Sequence, residues 1–365
     1  MRALTGLDLP AGSPGGSVEL LADLYLGTAP LVDADAFMLA PATPVPATSP
    51  ERAGAAPILL DVPGKQLDGE GFWNYVADLA KVVGHRFTAA DYDVLHLQHL
   101  TFGATPALLR AFPGHPCVAL VHGTDVLFAA DHPTQAEVLR QTAGTADMVV
   151  VPTTAMSARL RRFTDIPAKR IAHIPWGIPD HLLTAPADRQ PGRQGTFRVL
   201  YAGRLTAEKA PAELFQALAE LDGVELTLAA PESEYAALTA RADLSRVHHL
   251  GWLSRPQLWS EFDRHDLLVV PSTRLEAFGL VAVEAQARGL PVLYRPVDGL
   301  TEVLGVSAQA VSANGGGSIP AAVQRLRRDP HALADLREQG LVNAARFPLS
   351  QTARLLTELS ASLTT

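Results

Sequence analysis

The sequence predicts an α/β chain of two Rossmann-like domains, each built on a parallel sheet. Three observations carry this. Apolar runs of strand length alternate with helical patterns almost throughout. The 365 residues exceed one ordinary core and suit two domains of about 150–200 residues each. A polar stretch rich in Pro and Gly, 185–195, separates two similar halves. The expected boundaries are therefore 1–185 and 196–349. Residues 350–365 are expected to form a C-terminal helix, open to return to the first domain.

In the first half the apolar runs place strands near 2–6, 37–39, 58–60, 94–98, 117–121, 148–151 and 171–174. Apolar residues at helical spacing place helices at 17–26, 72–83, 134–143 and 154–163. In the second half strands recur at 197–202, 225–229, 247–250, 267–270 and 291–294. Helices fall between them, and three more cover 319–327, 331–346 and 350–363. Residues 41–57, dominated by Pro, Ala and Thr, read as a mobile surface loop. Two such halves leave a cleft, and open parallel sheets bind ligands beyond the carboxyl ends of their strands.

Composition narrows the function. Aromatic residues are only 6% of a chain that is 47% hydrophobic, so the cores rest on Ala, Leu and Val. No apolar run is long enough for a membrane span, and no apolar signal core follows Met1. The net charge of −8 disfavours nucleic acid and anionic lipid as partners. The single cysteine, Cys117, lies in an apolar run and reads as a buried inert thiol, which suits a reducing cytoplasm.

The chemistry concentrates at strand ends. The run EAFGLVAVE at 276–284 holds Glu276 and Glu284 with seven residues between them, just after the strand 267–270. Glu276 then sits in a strand-to-helix loop, and Glu284 lies about two turns into the helix. A carboxylate accepts hydroxyl hydrogen bonds strongly. The amides of Phe278, Gly279 and Leu280 at the helix start suit a phosphate. Upstream, YAGRLTAEK at 201–209 supplies Gly203, Arg204 and Lys209. Taken singly, each of these is an ordinary solvated loop or helix face. Gly12 to Gly16 form a glycine-rich turn before a helix, matching neither the dinucleotide nor the phosphate-loop pattern. His122 and Asp125 follow the strand 117–121; Asp125 suits either an acceptor amine or hydroxyl, or a turn cap. His96, His99 and His115 are scattered, with no third metal ligand at suitable spacing.

The stretch 271–292, with Glu276 and Glu284, closely resembles the donor-binding signature of glycosyltransferase family 4, the retaining enzymes of GT-B architecture. YAGRL followed by Lys209 resembles that family's second signature. Gly15-Gly16, His122-Gly123, the segment 175–178 and the helical tail are weaker echoes, so the resemblance spans the chain and is most specific in its second half. It implies that Glu276 holds sugar hydroxyls and Glu284 the nucleotide ribose. Arg204 and Lys209 would neutralise the diphosphate and stabilise the leaving phosphate without a metal. Gly16, Gly203 and the amides of Phe278, Gly279 and Leu280 would lie near the donor, and His122 near its sugar. Asp125, His99 and Trp176 are the acceptor-side candidates. Two departures stand out: Trp176 where the family carries Asn, and Ala210 where it carries Gly.

The implied reaction is metal-free transfer of a hexose or amino-hexose, with retention, from a nucleoside-diphosphate sugar to a hydroxyl of a soluble small molecule. UDP is the default carrier, with dTDP and GDP open. The segment 96–106 resembles antibiotic-pathway members, and with the acidic charge it points to an aminocyclitol or amino-sugar acceptor. Two alternatives stay open: a sugar-nucleotide epimerase of the same architecture, and a non-catalytic nucleotide-binding protein. Sugar identity, regiochemistry and oligomeric state are not written in these residues.

Overall fold

The computed structural model describes residues 1–41, 56–184, 195–209, 211–311 and 318–364. Most of the 41–57 loop, the 185–194 part of the linker and Ala210 lie outside the described residues.

The chain forms two compact units, 1–176 with 349–365, and 177–348. In the first, strands β1 (Ala3–Pro10), β2 (Ala34–Leu39), β3 (Ile58–Leu60), β4 (Val94–Leu97), β5 (Cys117–Leu120), β6 (Met148–Val151) and β7 (Ile171–His173) make one sheet. Its order is β3-β2-β1-β4-β5-β6-β7, and every pairing is parallel. Helices α1 (Gly16–Tyr25), α2 (Gly69–Arg86), α3 (Ala104–Ala111), α4 (Thr124–Asp131), α5 (Pro133–Thr145) and α6 (Thr154–Leu160) connect them. The central strands β4 and β5 are buried at every residue, as strands covered on both faces must be.

Helices α3 and α4 escape the sequence pattern. Pro106 and the glycines at 103 and 123 read as loop signals. Pro106 instead occupies the first turn of α3, where no intrahelical donor is required. Gly123 precedes α4 with a left-handed φ of 90°.

The second unit repeats the plan. Strands β8 (Phe197–Ala202), β9 (Val224–Ala229), β10 (Val247–His249), β11 (Leu267–Val270), β12 (Val292–Tyr294) and β13 (Gln309–Ala310) run in the order β10-β9-β8-β11-β12-β13, all parallel. Helices α7 (Ala212–Ala219), α8 (Glu232–Thr239), α9 (Arg255–Arg264), α10 (Leu280–Ala287), α11 (Leu300–Leu304), α12 (Ile319–Arg327) and α13 (Pro330–Ala344) complete it. Leu, Val, Phe and Ala side chains of β8, β9, α7 and α12 fill one shared core.

The last helix, α14 (Leu349–Ala361), belongs to the first unit. Ser360 meets the buried His96 ring at 2.8 Å, and Thr352 donates to the Pro175 carbonyl at 2.8 Å. The first unit ends at Trp176 rather than 185. Trp176 is buried there, its ring stacked 5.6 Å from His122. Two residues on, the Ile178 amide bonds the Phe347 carbonyl at 2.9 Å, joining the two ends of the second unit.

Each sheet changes direction once. In the first unit the order reverses between β1 and β4; in the second, between β8 and β11. At such a point the two connections leave on opposite sides and open a crevice at the strands' carboxyl ends.

Candidate functional site

In the second unit, Gly203, Arg204 and Lys209 follow β8, while Ser272 and Glu276 follow β11. The two sequence motifs thus meet at the switch point, although about 70 residues separate them. Thr273 ties their loops together, with its amide 2.7 Å and its hydroxyl 2.9 Å from the Glu208 carbonyl. Lys209 Nζ donates to Glu276 Oε1 at 2.5 Å, and Ser272 Oγ donates to the same oxygen at 2.7 Å.

The Glu276 backbone is fixed from behind. Its amide bonds the Asp298 carbonyl at 3.2 Å. Gly299 follows with φ of 90°, and a Cβ there would stand 1.7 Å from the Glu276 carbonyl oxygen. Only glycine permits both the angle and the approach.

Gly203 bonds the end of β9 through its amide. The Arg204 guanidinium pairs with Glu234 in the first turn of α8, whose other oxygen accepts the Leu205 amide at 2.6 Å. The buried Tyr201 hydroxyl donates to the Arg204 carbonyl, and burial, then Glu276, pushes its acidity well below that of an ordinary phenol. Gly279 is left-handed at φ 84° and opens α10, and no side chain caps this helix start. The first amides of a helix have no intrahelical acceptor, so those of Gly279 and Leu280 supply anion-binding capacity. Phe278 is buried edge-on against Phe347, 5.1 Å between ring centres, which anchors the turn.

Glu284 differs from a simple exposed ligand. It is buried on α10; Arg255 donates to one carboxylate oxygen and Trp259 Nε1 to the other, at 3.0 Å. Arg255 and Trp259, four residues apart on one face of α9, escaped the sequence reading. Their signal was an Arg and a Trp at helical spacing after a Ser254 capping box. Glu234, Ser272 and Gly299 were missed as well.

In the first unit, Gly16 opens α1 after a Gly15 in the φ 151° region, and again no side chain caps the helix. His122, His99 and Trp176 gather: the two imidazoles lie 4.6 Å apart, centre to centre. Thr5 donates to the His96 carbonyl at 2.7 Å, so Gln98 must donate its amide to Thr5, 2.8 Å away. That leaves the Gln98 oxygen to accept from His122 Nε2 at 3.2 Å. This chain of bonds fixes the tautomer, with Nδ1 of His122 an acceptor. Burial holds His122 neutral, well below the ordinary imidazole range, and lowers His99 to about 3, with Lys65 adding to the effect.

Asp125 takes the capping alternative. Its buried carboxylate accepts the amides of Leu100, His122, Gly123 and Val126 at 3.2, 3.4, 2.8 and 3.1 Å. Burial nevertheless raises it to about 6, the four amides opposing that rise. It joins the loops after β4 and β5 instead of offering itself to a ligand. His96 is likewise internal, bonded to Tyr25 and Ser360. Cys117 is buried, and burial pushes its thiol up to about 11.

Among the described residues, no three His, Cys, Asp or Glu side chains gather as metal ligands, and no helix is long and apolar enough to cross a membrane.

Known proteins align with both units. Residues 15–177 match the model of the glycosyl transferase 4-like domain, and residues 187–340 that of glycosyl transferases group 1. D-inositol 3-phosphate glycosyltransferase 1 of Catenulispora acidiphila is 32% identical over 318 residues, covering 76% of this chain and 75% of that protein. The D-inositol 3-phosphate glycosyltransferase of Thermobispora bispora is 30% identical, covering 73% and 70%. Sucrose-phosphate synthase of Thermosynechococcus elongatus superposes with a TM-score of 0.75 at 20% identity, over 100% of this chain and 99% of that one. Anabaena HepE in complex with UDP-glucose superposes at 0.74 and 21% identity, over the whole of both chains. These structural likenesses are those of the GT-B fold.

Proposed function

Since this chain belongs to glycosyltransferase family 4, we propose that it moves a hexose or amino-hexose, with retention, from a nucleoside-diphosphate sugar to a hydroxyl of a small cyclitol-type acceptor. One observation carries the donor half of the reading. Lys209 and Ser272 both donate to one carboxylate oxygen of Glu276 at the switch point of the second sheet.

Breaking the anomeric C–O bond leaves negative charge on the departing β-phosphate. Lys209 and Arg204 are the cations available after β8 to stabilise it, so the chemistry asks for no metal. Each waits in an ion pair, with Glu276 and with Glu234. The donor would exchange partners: diphosphate takes the cations and sugar hydroxyls take Glu276. The uncapped start of α10 would receive phosphate oxygens through the amides of Gly279 and Leu280. Gly203 and Gly16 would let backbone approach the donor. Neutral His122 would accept a sugar hydroxyl through Nδ1, beside Trp176 and His99. Glu284 is assigned to the ribose, its carboxylate oriented by Arg255 and Trp259.

UDP is the proposed carrier, a choice that the UDP-glucose complex of HepE supports. The names of the relatives support a cyclitol acceptor; an aminocyclitol of an antibiotic pathway is the finer form of this proposal. A cytoplasmic location is part of it, supported by the single buried thiol.

The test is nucleotide binding followed by product analysis. Melting curves with UDP, dTDP and GDP should show a rise with one of them, and Lys209→Ala should diminish it. Mixed with UDP-glucose or UDP-N-acetylglucosamine and myo-inositol, the enzyme should release UDP and form an α-glycoside. An epimerised nucleotide sugar without UDP release would overturn transfer.

A further inference from the structure

Both sequence motifs leave unused a buried polar cluster at the carboxyl ends of β1 and β4. The Asp8 side chain is 4% exposed and lies 3.2 Å from Lys65 Nζ, which also donates to the Asp8 carbonyl. The Gly103 amide donates to the same carboxylate at 3.0 Å. A Cβ at Gly103 would stand 2.5 Å from the Tyr75 ring and 2.9 Å from Asp8 Oδ2, so this glycine lets the two side chains meet. Three polar atoms here, Tyr75 Oη, His99 Nδ1 and Thr101 Oγ1, are buried with no hydrogen-bond partner among the described residues.

The loop that carries His99 and Thr101 is held under strain. Phe102 has φ of 67°, the one non-glycine residue with positive φ among those described. Gln135 holds it by accepting its amide at 2.9 Å, and the Phe102 ring packs edge-on against His99. Left-handed backbone at a residue with a bulky side chain persists only where its surroundings enforce it, and such strain collects at ligand sites.

We infer that this cluster binds the acceptor, and that it selects an uncharged or amine-bearing polyol over a phosphate monoester. The inference rests on the transferase reading above. The orphan hydroxyls and the imidazole nitrogen match the alternating donors and acceptors of a ring of hydroxyls. Charge sets the selectivity. Among the described residues, Lys65 is the one cation paired with Asp8. Burial holds the imidazoles of His99 and His122 neutral, and among the described residues no arginine hydrogen-bonds or ion-pairs with Asp8, Lys65, Tyr75, His99 or Thr101. A phosphate dianion would have to draw Lys65 away from Asp8 and leave that buried carboxylate uncompensated beside it, whereas an ammonium group would give the carboxylate a second cation. This chain thereby departs from what the names of its relatives suggest.

The experiment compares myo-inositol, D-inositol 3-phosphate and 2-deoxystreptamine as acceptors for the full chain, reading UDP release as kcat/KM. Saturation-transfer NMR on the UDP-loaded protein reads acceptor binding directly. The two unphosphorylated acceptors should exceed the phosphate ester by about 30-fold, and Asp8→Asn should shrink that gap about tenfold by freeing Lys65. Lys65→Gln, which leaves Asp8 uncompensated, should favour 2-deoxystreptamine over myo-inositol by a further threefold or so; this second variant serves if Asp8→Asn does not fold. Equal or better use of the phosphate ester by the wild type would overturn the inference, as would variants that lower all three acceptors alike. UDP binding with none of the three acceptors bound would sink the subsite and leave the donor site standing. Absence of UDP binding would sink the transferase reading itself.

Discussion

At the switch point of the second unit, charged side chains come in pairs: Lys209 with Glu276, Arg204 with Glu234, Arg255 with Glu284. At the corresponding point of the first unit one pair, Lys65 with Asp8, lies beside neutral polar atoms of Tyr75, His99 and Thr101 that are buried with no hydrogen-bond partner among the described residues. The two sites would gain from a ligand in different ways. A paired charge is stable alone and exchanges one partner for another when the ligand arrives. An unpartnered buried group costs about 1–3 kcal/mol until something bonds it, so a ligand that fits recovers that cost and one that does not leaves it standing. The first arrangement suits a common charged donor, and the second suits discrimination among acceptors.

The sharpest way to break the comparison is Glu284→Ala. It removes a buried carboxylate partner of Arg255, and the expected loss is about 3–5 kcal/mol by denaturant unfolding. A loss under about 1 kcal/mol would mean that the pair holds no structural role and that Glu284 is kept for a ligand alone. Next, Lys209→Ala should lower kcat by about 10²–10³-fold, with stability nearly unchanged. Steady-state kinetics with a saturating UDP-sugar decides this, and a change confined to KM would reduce Lys209 to ground-state binding.

Acid should unfold the first unit through its histidines. His96 titrates near 4 when folded, against 6.5 ordinarily, because it is buried. The unfolded chain therefore takes up the proton first, and stability is lost as pH falls from about 6.5 to about 4. Asp125, raised to about 6 by burial, acts oppositely: its contribution is lost as pH rises from about 3.8 to about 6. With His99 and His122 lowered as well, three imidazoles outweigh one carboxyl, so net stability should fall with acid. Unfolding curves at pH 7, 5.5 and 4.5 check the slope, and His96→Leu should flatten it. The smallest effect is Tyr75→Phe. Removing an unpartnered buried hydroxyl should cost no stability and add up to about 1 kcal/mol, while raising the acceptor KM. A clear loss of stability would show that the hydroxyl has a partner after all.

How much of this was legible follows from how each part is assembled. Arg204, Lys209 and Glu276 stand in short contiguous runs directly after strands, where local sequence and topology coincide. Parallel sheets were legible because buried strands read as unbroken apolar runs, such as Leu267 to Val270. Asp8 and Lys65 were not, because 57 residues separate them and each alone resembles any surface charge. Asp125 was ambiguous because its two roles differ only in whether four backbone amides converge on it, which is a tertiary fact. Helix α3 was hidden by Pro106, whose meaning depends on its position within the turn.

The return of α14 to the first unit sets an order of assembly. Strands β1 to β7 leave the ribosome before the second unit, yet the His96 ring lacks its Ser360 partner until α14 is made. Residues 177–348 are by contrast a continuous piece, complete before α14 exists. The second unit can therefore finish folding during synthesis while the first waits, reversing the usual sequence in which the N-terminal domain matures earliest. A message truncated before codon 349 would yield a whole second unit attached to an unfinished first one.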